Sequence, residues 1–227
     1  MNRFVNIWTV IFFIISLPFS MALDYAGIYK LFGVEFPGPD FEHNDLIYGI
    51  LAGIFLLLGA LKASRRWVGL FIARQKQKFV WSAPLSKPRK QRILMYSLLE
   101  VTVLVSMAIF YFTISPILIY VGLALVIVAT EHLLHTFVGL GKDWFRVGIT
   151  SKAVVSTDRE VTVMYYTGLR KVSIHQQTLY LEYIKDLTLH IPSNAIQQGE
   201  VENFKKHLAD QVDKEKVFFN EAFKAWK

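Results

Sequence analysis

The chain is 227 residues long, 53% hydrophobic and formally +7 at neutral pH, with no cysteine. A soluble domain is about 45–50% apolar, so the length suits one small soluble domain plus a membrane part better than two soluble domains. The missing cysteine excludes disulfides, thiolate metal sites and cysteine nucleophiles, and the positive charge does not point to nucleic acid, because ten of the 25 Lys and Arg fall in residues 62–92, which hold no Asp or Glu.

In chain order, Phe4–Leu23 is an uncharged apolar run of the length that spans a hydrocarbon core about 30 Å thick. Ser20 and Ala22 stand at the −3 and −1 positions of a signal-peptidase site behind Arg3. The run is longer than the usual secretory h-region of about 7–15 residues, so it reads as a retained helix. Cleavage after Ala22 would leave the later spans unchanged. Residues 24–45 follow with five acids and one lysine.

Residues 46–63 form the second expected span, with Lys62 placed to snorkel and Trp67 to sit at the interface. Residues 62–92 are the basic stretch. Because positive loops stay cytoplasmic, this one lies inside and 24–45 outside, and four spans put both termini in the cytoplasm. Within it, "SRRWVGLFIARQKQKFVW" interleaves aromatic and basic residues at helical spacing, so the helix is expected to run on past the membrane. Arg65, Arg66, Trp67, Arg74, Lys76, Lys78 and Trp81 are the candidate membrane-surface contacts with anionic lipid. Pro84 and Pro88 then punctuate a linker.

Residues 93–114 and 116–140 are the third and fourth spans. Only "TISP" separates them, so they form an antiparallel hairpin, with Pro116 in the first turn of the returning helix. Glu100 interrupts one span, and Glu131, His132 and His135 ("EHLLH") interrupt the other. Counted at 1.5 Å per residue, Glu100 is about 10 Å deep, Glu131 about 15 Å and His135 about 9 Å, all from the cytoplasmic side. Intramembrane ionisable groups are costly and face partners. The preferred reading is structural pairing that ties the hairpin together. The alternative is a small intramembrane metal-binding or proton-linked transport protein, in which Glu100, Glu131, His132 and His135 hold a divalent ion or relay protons.

After Gly141 the apolar period changes from helical to alternating. "FRVGI", "AVVST", "VTVMYY", "RKVSIHQ", "TLYLEYI" and "LTLHIP" predict six antiparallel strands in a meander. "GEVENFKKHLADQV" then places Val201, Phe204, Leu208 and Val212 on one helical stripe. The domains are thus 1–141 in the membrane and 142–227 in the cytoplasm: a four-helix transmembrane part plus a mainly-β open barrel closed by a helix. The tail "KEKVFFNEAFKAWK" continues the helical signal, with Val217, Phe218, Ala222 and Trp226 near one stripe.

Over residues 93–212 the chain resembles the YcxB-like family, in which a bacterial pleckstrin-homology-like domain follows a transmembrane hairpin. The residues that carry this are "FRVGIT" with the strand after it, "YYTGLRKV", "LTLHIPSNAI" and "VENFKKHL", with Ile191 and Pro192 ending the last strand and Phe204 facing the core. The extra pair of spans at the front departs from the family, and so does Leu169, where Trp is frequent. The resemblance implies a bacterial inner-membrane binding or scaffolding module without catalytic residues. Eukaryotic relatives of the fold bind phosphoinositides through basic loops. Here Lys152, Arg159, Arg170 and Lys171 are scattered among Asp143, Asp158 and Glu160, a weak phosphate site. Nucleotide-binding, metalloprotease and nucleophile-elbow patterns are absent, so no enzyme activity and no obligatory cofactor are expected. The expected partners are membrane lipids and another membrane or cytoplasmic protein, with a homo-oligomer as an alternative.

Overall fold

The computed structural model describes residues 2–25, 43–213 and 215–226. Most of the acidic segment 24–45 lies outside the described residues. The elements run in the order α1 (Asn2–Tyr25), α2 (Asn44–Arg74), β1 (Trp81–Pro84), α3 (Lys87–Ile114), α4 (Ile119–Gly141), β2 (Arg146–Ile149), β3 (Ala153–Thr157), β4 (Val161–Tyr165), β5 (Leu169–His175), β6 (Thr178–Tyr183), β7 (Thr188–Pro192), α5 (Val201–Gln211), β8 (Phe218–Phe219) and α6 (Glu221–Ala225). The chain divides into two compact units. One is Met1–Ala63 with Leu99–His132; the other is Ser64–Leu98 with Leu133–Lys227.

Among the described residues three helical segments are long and apolar enough to cross a membrane: Asp45–Arg74, Lys87–Ile114 and Pro116–Gly141. The apolar helical stretch Val10–Ser20 within α1 is shorter. The first unit packs as helices around one core, which includes Tyr48, Phe55, Leu104, Tyr111, Leu118 and Leu125. Helix α1 joins through Phe12 and Phe13, whose rings meet Phe55 edge-on at 4.9 and 4.8 Å. The Tyr111 hydroxyl donates to Ser16 Oγ at 3.1 Å, which gives a buried phenol a partner where no water competes. Between α3 and α4, Ser115 is extended and Pro116 opens a single 3-10 turn before α4 begins.

In the second unit the six strands expected from alternation all form. They do not make one meander, however. They lie in two open sheets, ordered β1-β2-β3-β4 and β7-β6-β5-β8. The inward residues Leu169 and Val172 of β5 are three apart, out of step with a period of two. A register shift between Leu169 and Lys171 absorbs the extra residue and restores the inward face. Helix α5 buries Val201, Phe204 and Leu208 against this core, and Val212 follows just past its end.

Two stretches differ from the sequence reading. The helix expected through residue 81 stops at Arg74, and residues 81–84 pair antiparallel with β2, from Trp81↔Ile149 to Pro84↔Arg146. The expected linker is therefore part of the second unit's sheet, and that unit takes in 64–98 as well as the chain after Leu133. Pro88 does not interrupt a helix but sits in the first turn of α3. There Ser86 accepts from the Arg89 amide at 3.2 Å and caps the N-terminus, and a proline costs no hydrogen bond. The tail also departs. Its helical signal breaks at β8, which pairs parallel with β5 at Lys171 and Val172. Asn220 then restarts a short helix by accepting from the Phe223 amide at 2.8 Å. Val217 and Phe223 are buried there, while Phe218 is exposed.

Candidate functional site

In the first unit, Glu100 on α3 lies between two cationic or titratable neighbours. Its Oε1 is 3.7 Å from His132 Nδ1 on α4 and 3.7 Å from Lys62 Nζ on α2. These separations are ion-pair distances, longer than the roughly 2.7–2.9 Å of a direct charge-assisted hydrogen bond. The His132 side chain is 6% exposed and those of Glu100 and Lys62 are 28% exposed. Three helices of one unit thus bring a carboxylate, an imidazole and an ammonium together. Lys62, read from sequence only as a snorkelling residue, is a member of this cluster. The available signal was its position at the end of the second apolar run, within reach of a carboxylate on a neighbouring helix.

Glu131 is half-buried on α4 beside His132. His135 belongs to the second unit, where it is 2% exposed. Its ring meets Trp67 edge-on at 5.7 Å and Phe145 at 5.6 Å. The same Phe145 ring lies over the Cα of Gly139, where a Cβ would collide with it. The "EHLLH" histidines therefore have different surroundings: His132 faces an acid and His135 an aromatic cage. Among the described residues no group of three or more His, Asp or Glu is arranged to hold a metal ion.

The membrane-surface candidates also divide. Arg74, Lys76 and Lys78 are exposed and Trp67 is 37% exposed, whereas Arg65 is half-buried and Arg66 is buried. Trp81 turns inward, because it lies on a strand. Its indole N–H donates to Glu200 at 3.2 Å and its ring meets Phe204 at 5.6 Å.

Sequence reasoning missed Arg146, which is 4% exposed on β2. Its Nη1 donates to Ser82 Oγ at 3.0 Å and its Nη2 to the Asp143 carbonyl at 3.2 Å. Burial pulls this guanidinium below the usual arginine range and the Asp143 charge pulls it back up; arginine stays charged in either case. Nearby, Lys90 pairs with Asp143, and Arg89 reaches Asp158 through Nε at 2.8 Å. Arg74 and Lys142 both approach the Trp144 ring, at 5.7 and 5.0 Å from its centroid. Arginine at a strand start carries no special sequence signal. Its role follows from the pairing of β1 with β2, which the sequence did not announce.

The chain was compared with family models, with curated proteins and with solved structures, and it matches none of them.

Proposed function

We propose that the chain is a multi-pass protein of a bacterial cytoplasmic membrane that anchors a cytoplasmic binding module. The module is pleckstrin-homology-like, of the YcxB-like type, and its work is to hold or sense a partner rather than to catalyse. The observation that carries this reading is the pairing of β1 with β2. One strand leads into the hairpin of α3 and α4 and the other leaves it, so the two ends of the hairpin run into neighbouring strands of one folded module. Two open sheets and the apolar stripe of α5 suit the proposed module type. The ten bases of 62–92 favour the cytoplasmic side for it, by the positive-inside rule. As a fourth span, α1 contributes 24 helical residues, about 36 Å at 1.5 Å per residue. Topology reporters fused after residues 35, 85 and 227 should read outside, inside and inside. An inside signal at 35, or an outside one at 227, would overturn the arrangement.

A second reading rests on the Glu100, His132 and Lys62 cluster: a proton- or metal-linked intramembrane site. Purified protein carrying stoichiometric divalent metal that His132→Ala removes would favour it over the scaffold. A metal-free protein whose His132→Ala variant loses stability alone favours a hairpin tie.

A further inference from the structure

The second unit has an open groove of about 930 Å³, lined by the β2–β3 turn, the β4–β5 connection, Ile184 and the chain that follows α5. Its floor is apolar, built from Leu169, Val212 and Val217, each buried. On its flanks stand Tyr165 and Ile184, 58% and 47% exposed. Large apolar side chains left this open beside a concave surface mark an interaction site more often than a bare surface does.

The polar lining is of one dominant sign. Lys152, Arg170 and Lys216 line the groove against a single acid, Asp213. Asp213 is already engaged by Lys216 at 2.7 Å and by the Glu215 amide at 3.1 Å. Lys152 comes from the β2–β3 turn and Arg170 from β5, and neither makes an ion pair among the described residues. Arg170 lies at the register shift in β5, and such irregularities re-aim a side chain. The β4–β5 connection is held in shape by the Ile184 amide donating to the Gly168 carbonyl at 3.0 Å and by Gly168 at φ 80°, a conformation that favours glycine.

We propose that this groove docks an acidic, extended segment of a partner protein. Its carboxylates are taken by Lys152 and Arg170, and a neighbouring apolar side chain packs between Tyr165 and Ile184. The proposal rests on the binding-module reading and names the chemistry of the partner. Charge complementarity selects the acid, because two cations lack a counter-charge and the one acid present is satisfied. The concave apolar floor selects a protruding chain over a flat lipid surface.

The test uses the full chain in its own membrane, with a photoreactive benzophenone residue in place of Tyr165, of Ile184, or of the exposed His190 on β7 as a control. The expected result is a protein adduct at 165 and 184 whose attached peptide is rich in Asp and Glu. Lys152→Glu with Arg170→Glu should cut that adduct roughly tenfold, as reversed interface charges do, with tryptophan emission unchanged to confirm folding. Adducts to lipid alone, to a second copy of the chain or to a neutral or basic peptide would overturn the proposal. So would no adduct at either position. A protein adduct confined to His190 would overturn the groove while leaving the binding-module reading standing. No protein adduct at any of the three positions would count against both.

Discussion

At the hairpin between β5 and β6, Gln176 and Gln177 both have positive φ, 45° and 59°. His175 pairs with Thr178, so the loop is a two-residue turn of the kind that favours Asn-Gly. Glutamine has no local advantage in this conformation, and the strain is offset by the Gln177 carbonyl, which accepts from both the amide and the hydroxyl of Ser193. Gln176→Asn with Gln177→Gly should raise stability by about 1 kcal/mol, read as a higher denaturant midpoint with unchanged slope. A second prediction concerns Tyr183, whose phenol burial pushes up to about 12, and Tyr166, which burial and the adjacent Tyr183 push higher still. An unfolded phenol ionises near 10. Between about pH 10 and 12 the folded state therefore holds protons that the unfolded state has lost, and stability falls as pH rises through that window. Thermal melts from pH 9 to 12 should show the decline, and Tyr183→Phe should make it shallower. Of the site residues, Glu100 and His132 were legible because an antiparallel hairpin sets their depths. His135 was not, since its cage depends on Phe145, which follows the hairpin, and on Trp67 from an earlier helix.

Strand β1 ties three parts of the second unit together, although it has only four residues. It adds a ladder to β2, brings Ser82 to Arg146 and seats Trp81 on Phe204. A fragment of residues 142–227 lacks all three. It should give a collapsed, poorly dispersed NMR spectrum, whereas the full chain keeps the core. Trp81→Ala should cost about 2–4 kcal/mol, since a large aromatic and its hydrogen bond are both removed; a loss below about 1 kcal/mol would show that the strand is dispensable. The later strands were readable because alternation and turn residues are local signals. Strand β1 was not, because "WSAP" is too short for a period and its partner lies beyond two long apolar helices. Prolines at 84 and 88 suggested a linker when one ends an edge strand and the other opens a helix. The tail misled for a similar reason: consecutive apolar residues at 217–219 fit a helical stripe, while the parallel pairing with β5 that makes them a strand is non-local.

Across the whole molecule the two units have separate cores, one of helices and one of two sheets with α5. Four of the five tryptophans, Trp67, Trp81, Trp144 and Trp226, belong to the second unit. In detergent, guanidinium should therefore shift tryptophan emission at a lower concentration than it removes the far-ultraviolet helical signal, because micelle-embedded helices keep their backbone bonds. Coincident curves would mean that the units unfold as one. The division of the sheet around the hairpin also sets an order of events during synthesis. Strand β1 leaves the ribosome about sixty residues ahead of β2, its one sheet neighbour. At about 5–20 residues per second that is a wait of roughly 3–12 s. The intervening chain is the hairpin itself. Until α3, α4 and β2 have all been made, the nascent chain therefore carries one half of a ladder in reach of chaperones and proteases.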